Sequence, residues 1–138
     1  MSRPAYRQPA AVALVAAGGM AGATVRALTA AALAVPPGSW PTATFAVNLI
    51  GAFILGLLLE ALTRESLKPH WALRIRLLIG TGFCGALTTY STLAVEADLL
   101  IRDQHPVLAG GYVIASVLLG LIATMAGIRA GTLIGGRR

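Results

Sequence analysis

Apolar residues occur along this chain in four long blocks, separated by short segments that carry proline, glycine or charge. A helix needs about 20 mostly apolar residues to cross about 30 Å of hydrocarbon. The blocks therefore predict four transmembrane helices, over residues 9–35, 41–62, 71–101 and 106–128. The first ends at the turn signal Pro36-Pro37-Gly38, and Pro41 suits the first turn of the second. The pattern indicates one four-span unit of an all-α membrane protein.

The middle of the third block is poorly suited to a continuous helix. Residues 80–92 contain three glycines together with several threonine and serine hydroxyls. Glycine and threonine are poor helix formers, which favours a helix that is broken within the membrane. Backbone freed by a break must be buried in protein or line a wet cavity or an ion site. The alternative is a helix contact made by small residues, with the hydroxyls bonded to their own helix.

Lysine and arginine are distributed unevenly between the two sides of the four predicted spans. One side, with both termini and the second loop, holds nine of them, whereas the first and third loops hold only Arg102. The positive-inside rule therefore predicts both termini in the cytoplasm. We expect a multi-pass protein of the inner (plasma) membrane. The nine residues are Arg3, Arg7, Arg64, Lys68, Arg74, Arg76, Arg129, Arg137 and Arg138.

Composition agrees with a membrane protein and excludes several other classes. The 138 residues are 57% hydrophobic and only 12% charged, too little charge to cover a soluble domain. The net charge of +6 does not indicate nucleic-acid binding, because the basic residues flank spans and are not interleaved with aromatics. Cys84 is the single cysteine, and neither His70 nor His105 has a partner at metal-site spacing, so the sequence does not support redox or zinc chemistry.

The N-terminus has some features of a signal peptide. Arg3 and Arg7 precede an apolar stretch over residues 10–23, as in the basic and hydrophobic regions of a signal. The apolar stretch resumes after Arg26 and continues to Val35, which is too long for an ordinary signal. This length favours a first span that is retained in the protein.

Several polar residues fall within the spans. Arg26 lies in the first, Asn48 follows Thr44 by one turn in the second, and Tyr112 and Ser116 are one turn apart in the fourth. All of them can donate hydrogen bonds to an anion. Arg26 could instead extend to the membrane surface, and Asn48 could bond a neighbouring helix.

The acidic residues have a different distribution. Glu60, Glu96 and Asp98 fall toward span ends, so we expect no carboxylate among the buried donors. A cation or proton-coupled carrier would be expected to hold a buried carboxylate. The pattern therefore favours a small anion as the permeant ion.

Four segments, one in each span, resemble the small bacterial fluoride channels of the Fluc or CrcB family. They are residues 19–26, 44–51, 82–92 and 112–116, and Gly85-Ala86-Leu87-Thr88-Thr89-Tyr90-Ser91-Thr92 is the most specific part. The resemblance implies a fluoride-selective channel subunit that gives passive fluoride export and resistance to fluoride toxicity. Such a protein breaks no covalent bond and is not an enzyme.

The resemblance also implies an antiparallel dimer in the lipid bilayer with fluoride pores at the subunit interface. It implies a structural sodium ion at the dimer centre, held by the backbone carbonyls of Gly85 and Thr88. Arg26 would line the vestibule. The implied fluoride-pore residues are Thr44, Asn48, Tyr90, Leu93, Tyr112 and Ser116.

Two departures affect these expectations. The family usually has phenylalanine at the positions of Tyr90 and Leu93, and leucine supplies no positive ring edge to an anion. The charge bias also opposes insertion in both orientations, as an antiparallel homodimer requires, so we hypothesise a homologous second subunit of opposite bias. The alternatives are a non-conducting partner subunit and a small multidrug-efflux carrier, although that carrier class relies on a glutamate that this first span lacks.

Overall fold

The structure is a computed structural model that describes residues 8–64 and 68–134. The described residues form helices and turns, with no strand among them. Arg3, Arg7, Arg137 and Arg138, which contribute to the charge bias, lie outside them. The helices are α1 (Pro9–Ala32), α2 (Thr42–Arg64), α3 (Pro69–Ile75), a π-helical segment (Arg76–Cys84), α4 (Gly85–Leu87), α5 (Tyr90–Arg102) and α6 (Pro106–Ile134).

Four helical stretches in the described part of the chain are long and apolar enough to cross a membrane, which confirms the four predicted spans. No more than 22% of the residues in the most apolar window of each stretch are buried. Most residues of the spans are therefore not buried within the subunit, as expected where lipid is the solvent. The stretches are Pro9–Ala32, Thr42–Thr63, Pro69–Arg102 and Pro106–Leu133.

Two helix ends differ from the predicted bounds by three residues or more. α1 ends at Ala32, three residues before the predicted end, and α6 continues through Arg129 to Ile134 rather than ending at residue 128. A charged residue ends an apolar block but does not interrupt helical hydrogen bonds, so α6 continues. Its last turn is held against α2, because a Cβ on Gly131 would lie 2.9 Å from the Leu57 carbonyl oxygen.

The helices pack in two pairs at close backbone distance. α2 packs along α6, and α1 packs against the π-helical segment and α4. A Cβ on Gly22 would collide with the Phe83 carbonyl, and one on Gly127 would collide with the Phe53 carbonyl. Small residues that permit such approach are typical of helix contacts in membranes.

The third membrane stretch is interrupted between α4 and α5, where two residues are not helical. Thr88 (φ −81°, ψ 153°) and Thr89 (φ −150°, ψ 121°) have extended backbone, and α5 begins at Tyr90. The preceding π-helical segment spans nine residues. Extended backbone at two adjacent residues withdraws peptide groups from the helical hydrogen-bond ladder, so other groups must bond them.

Candidate functional site

Asn48 of α2 bonds the backbone at this interruption. Its Nδ2 donates to the carbonyl oxygen of Thr89 over 3.1 Å, and the Thr89 N–H donates to Asn48 Oδ1 over 2.8 Å. A carboxamide carries the same donor and acceptor as a peptide group, so it can pair with both ends of one residue. Asn48 therefore supplies the partners that Thr89 would have in a helix.

The Thr89 side chain caps α5. Its Oγ1 accepts from the Thr92 N–H over 3.1 Å and donates to Thr92 Oγ1 over 3.0 Å. It also lies 3.2 Å from Ser91 Oγ. Threonine is a favoured N-cap because its side-chain oxygen bonds an N–H that has no helical acceptor. Thr89 is only 8% exposed, so these partners replace water.

Two carbonyls lose their helical donors through these bonds. In a continuous α-helix each N–H bonds the carbonyl four residues earlier. The Thr89 and Thr92 N–H groups would therefore bond the Gly85 and Thr88 carbonyls, but they bond Asn48 and the Thr89 hydroxyl instead. The Gly85 and Thr88 oxygens are left without the donors that a continuous helix would supply.

Glu96 of α5 joins two of the predicted site residues. Thr44 Oγ1 donates to Glu96 Oε1 and Tyr112 Oη donates to Glu96 Oε2, each over 2.7 Å. Tyr112 is 0% exposed and Thr44 is 6% exposed, whereas Glu96 is half-buried. We call these three residues the Glu96 centre.

The expectation that the buried donors stand without a carboxylate is therefore wrong. Glu96 lies toward the end of the third membrane stretch, as predicted, but it is in the middle of α5, and its side chain reaches α2 and α6. The spacing of the polar residues in this part of the chain does indicate the position of Glu96. Glu96 follows Thr92 by four residues and Thr89 by seven, which places all three on one helical face.

Aromatic residues enclose the Tyr112 ring. The Trp40 ring meets it edge to face at a centroid distance of 5.5 Å, and the Phe45 ring lies 6.5 Å away. Leu93 packs against the same cluster, together with Leu100. These contacts restrict the ring and hold its hydroxyl toward Glu96.

Ser116 lies one turn after Tyr112 on α6, but its proton is used within the helix. Its Oγ donates to the Tyr112 carbonyl oxygen over 2.7 Å, and the residue is 9% exposed. The structure thus places Ser116 on the Tyr112 face and does not link its hydroxyl to Glu96. A serine within a helix can bond the carbonyl four residues earlier in this way.

Two open cavities meet at Thr89. The larger, of 740 Å³, is lined by residues of α1, the first loop, α2 and α5. The smaller, of 420 Å³, lies on the other side of the interruption. The polar lining of the larger includes Arg26, Thr44, Thr89, Thr92, Glu96 and Asp103, and the lining of the smaller includes Asn48, Gly85, Thr88, Thr89, Tyr90 and Leu93.

Comparison with known proteins places the chain in a family. Residues 13–128, which include parts of all four spans, match the family model of the CrcB-like protein, Camphor Resistance (CrcB). The chain belongs to the CrcB family. The relatives of this CrcB-family chain include proteins named as fluoride-specific ion channels.

Three of these relatives show how far the similarity extends. FluC 1 of Mycolicibacterium paratuberculosis is 43% identical over 127 residues, 89% of each chain. FluC 1 of Mycobacterium bovis is 46% identical over 86% of this chain and 85% of its own. FluC of Chlorobaculum tepidum is 44% identical over 84% of this chain and 90% of its own. All three are named "Fluoride-specific ion channel".

The structure brings the predicted site residues of this CrcB-family chain into two groups. Arg26 and Thr44 line the larger cavity with Glu96, and Tyr112 bonds Glu96 from α6. The second group lines the smaller cavity: Asn48, Gly85, Thr88, Tyr90 and Leu93. Thr89 lines both cavities, and neither Thr89 nor Glu96 was among the predicted site residues.

Proposed function

We propose that this chain is a subunit of a fluoride-selective channel that lets fluoride leave the cell passively and so confers resistance to fluoride. The observation that carries the proposal is the family match across all four spans, with relatives named as fluoride-specific channels. The chain moves an ion and breaks no covalent bond.

The driving force follows from acid–base chemistry. Hydrogen fluoride is a weak acid that enters as a neutral molecule and dissociates inside, which traps the anion. An inside-negative potential favours anion exit by about 2.3 kcal/mol per charge for each 100 mV. A passive pore is therefore sufficient for export.

The polar groups around the two cavities suit a small anion that must shed water. A filter replaces hydration with fixed groups. In this subunit the Thr44 and Tyr112 protons bond Glu96, so a passing fluoride would receive them when those hydroxyls or the carboxylate rotate. The Asn48 amide uses one of its two protons on Thr89, and the second remains to donate in the smaller cavity.

The aromatic edge in the smaller cavity comes from Tyr90, which is 83% exposed in the single subunit. Its ring edge is positive and suits an anion. Leu93 supplies no such edge and packs partly against the Tyr112 cluster. This favours a second candidate function, in which the pore lined by Leu93 is silent and the subunit serves as a non-conducting partner.

An antiparallel dimer would complete the site and explain the carbonyls at the interruption. Sodium takes oxygen ligands, as hard cations do. The Gly85 and Thr88 carbonyls fit this preference because their helical donors are directed elsewhere. They would hold the ion at the dimer interface, where it would fix the two interrupted helices against each other.

The partner in that dimer is proposed to be a homologous chain. Nine basic residues against one favour a single orientation, with both termini in the cytoplasm. A subunit with the opposite bias would insert the other way and supply the second half of the assembly. Expression of this chain alone and together with such a homologue, followed by isolation of the dimer, tests this point.

Fluoride efflux from liposomes tests the function. Purified protein is reconstituted in vesicles loaded with fluoride, and release is followed with a fluoride electrode, with and without the homologous partner. Release in either condition, with no release of chloride, supports the channel. Fluoride release that requires the partner supports the paired assembly. Fluoride release that is equally fast when the partner is present without this chain indicates that this chain is a non-conducting subunit. Transport of organic cations instead would support the efflux-carrier alternative.

A further inference from the structure

Thr89 occupies a position that no pore or ion role yet explains. It lies between the two cavities, it is buried, and none of its polar groups faces an open cavity without a partner. Its N–H and carbonyl bond Asn48, and its hydroxyl bonds the Thr92 N–H and two neighbouring hydroxyls. Its groups therefore serve the local backbone.

These hydrogen bonds affect two backbone carbonyls, those of Gly85 and Thr88. A helix that continued through residues 85–92 would place N–H groups on the Gly85 and Thr88 carbonyls. These are the N–H groups of Thr89 and Thr92. In the structure the first donates to Asn48 Oδ1 and the second donates to Thr89 Oγ1. The side chains of Asn48 and Thr89 thus remove the competing donors from the two carbonyls that are proposed to bind sodium.

We propose that Thr89 is a positioning residue of the sodium site and that Asn48 acts with it, by drawing two backbone N–H groups away from the Gly85 and Thr88 carbonyls. The inference rests on the sodium site of the proposed function. It gives Asn48 a task besides donating to fluoride, and it couples the anion path to the cation site through the backbone of one residue.

The hydroxyl is the group that matters at Thr89. Valine has nearly the same shape but cannot accept from the Thr92 N–H, which would then turn to the Thr88 carbonyl or remain without a partner. Serine keeps the cap. Loss of an N-cap typically changes the local equilibrium by roughly fivefold, so Thr89→Val should weaken sodium binding by about that factor.

Two substitutions of Asn48 separate its proposed role in fluoride passage from its proposed role at the sodium site. Asn48→Asp keeps an oxygen that accepts from the Thr89 N–H but loses the amide protons and adds a negative charge in the anion path. Asn48→Ala loses both. We expect both variants to lose fluoride flux, whereas only Asn48→Ala should also lose sodium affinity.

The experiment measures sodium binding to the purified full-length protein, in its dimer with whichever subunit completes it. Equilibrium binding of radioactive sodium and the rise of Tm with sodium, at constant ionic strength against N-methylglucamine, give the apparent Kd without any transport assay. Thr89→Val and Thr89→Ser are compared with Thr24→Val, which removes a hydroxyl that bonds only its own helix in α1.

We expect Thr89→Ser and Thr24→Val to keep the wild-type Kd and Thr89→Val to raise it. An unchanged Kd in Thr89→Val overturns the inference even if fluoride flux falls, and so does a wild-type protein that binds no sodium. If Thr89→Val does not fold, equal sodium affinity in Asn48→Asp and Asn48→Ala overturns it instead. Fluoride transport is measured separately, so its failure is distinguishable from a failure of this inference.

Discussion

Replacing Tyr112 with phenylalanine removes one oxygen from the Glu96 centre and tests whether that centre takes part in transport. The ring keeps its contacts with Trp40 and Phe45, whereas the 2.7 Å hydrogen bond to Glu96 Oε2 is lost. Because Tyr112 is 0% exposed, water has little access to replace the missing donor. The change therefore isolates the hydroxyl from the packing of the side chain.

The expected size follows from the charge on the acceptor. A hydrogen bond to a charged group contributes about 1.5–3 kcal/mol. If the same hydroxyl stabilises fluoride in passage, its loss should slow flux per folded channel by roughly 10- to 100-fold, since about 1.4 kcal/mol corresponds to a factor of ten. The same substitution should lower Tm, because Glu96 keeps the Thr44 donor but loses the Tyr112 donor.

The assay is fluoride efflux from liposomes, normalised to the protein that elutes as a folded assembly. Thr24→Val is the control, since it removes a membrane hydroxyl that bonds only the Met20 carbonyl of its own helix and lines neither cavity. Thr44→Val and the double variant complete a thermodynamic cycle. Two donors to one carboxylate should be coupled, so the double variant should differ from the sum of the single effects. Wild-type flux in folded Tyr112→Phe would refute a role for the Glu96 centre in transport.

Three further predictions use other parts of the molecule. Gly127→Val should prevent folding or sharply lower Tm, because its Cβ would collide with the backbone of α2. Gly110→Val on the same helix should be tolerated, since its Cβ meets nothing within 4 Å, and equal Tm values for the two variants would contradict the packing. Leu93→Phe should raise fluoride flux by restoring a ring edge, measured in the same liposome assay, and unchanged flux would show that no ring is needed there. Trp40→Ala should reduce flux more than Trp71→Ala, which alters an exposed residue; an equal effect would exclude a role for the aromatic contacts on Tyr112.

Sequence alone predicted the four spans because their signal is simple. Each block is long enough to cross the bilayer, and prolines mark the first turns of α1 and α6. Helix ends were less predictable, as Arg129 shows. Arg129 ends the apolar pattern, but the helix continues through it, because a charged side chain does not prevent the backbone hydrogen bonds of a helix.

The site residues were harder to predict than the spans because their roles depend on which helices meet. Thr44, Asn48 and Tyr112 were identified as buried donors, but their acceptors lie 52, 41 and 16 residues away in the chain. No local pattern specifies those distances. From its place along the chain Glu96 is therefore expected at a span end, whereas its carboxylate contacts Thr44 of α2 and Tyr112 of α6.

Thr89 illustrates a different limit. Its neighbours in residues 80–92 predicted poor helix formation, but composition does not say which peptide groups leave the helix or what bonds them. That depends on Asn48, a residue of another helix, whose amide pairs with Thr89 only after α2 and the third stretch pack together.

The most direct test of the account is the release of fluoride from liposomes that contain this chain together with any subunit it requires. We predict rapid, passive release of fluoride with retention of chloride, abolished by Asn48→Asp. Vesicles that retain their fluoride with a correctly assembled protein would contradict the account.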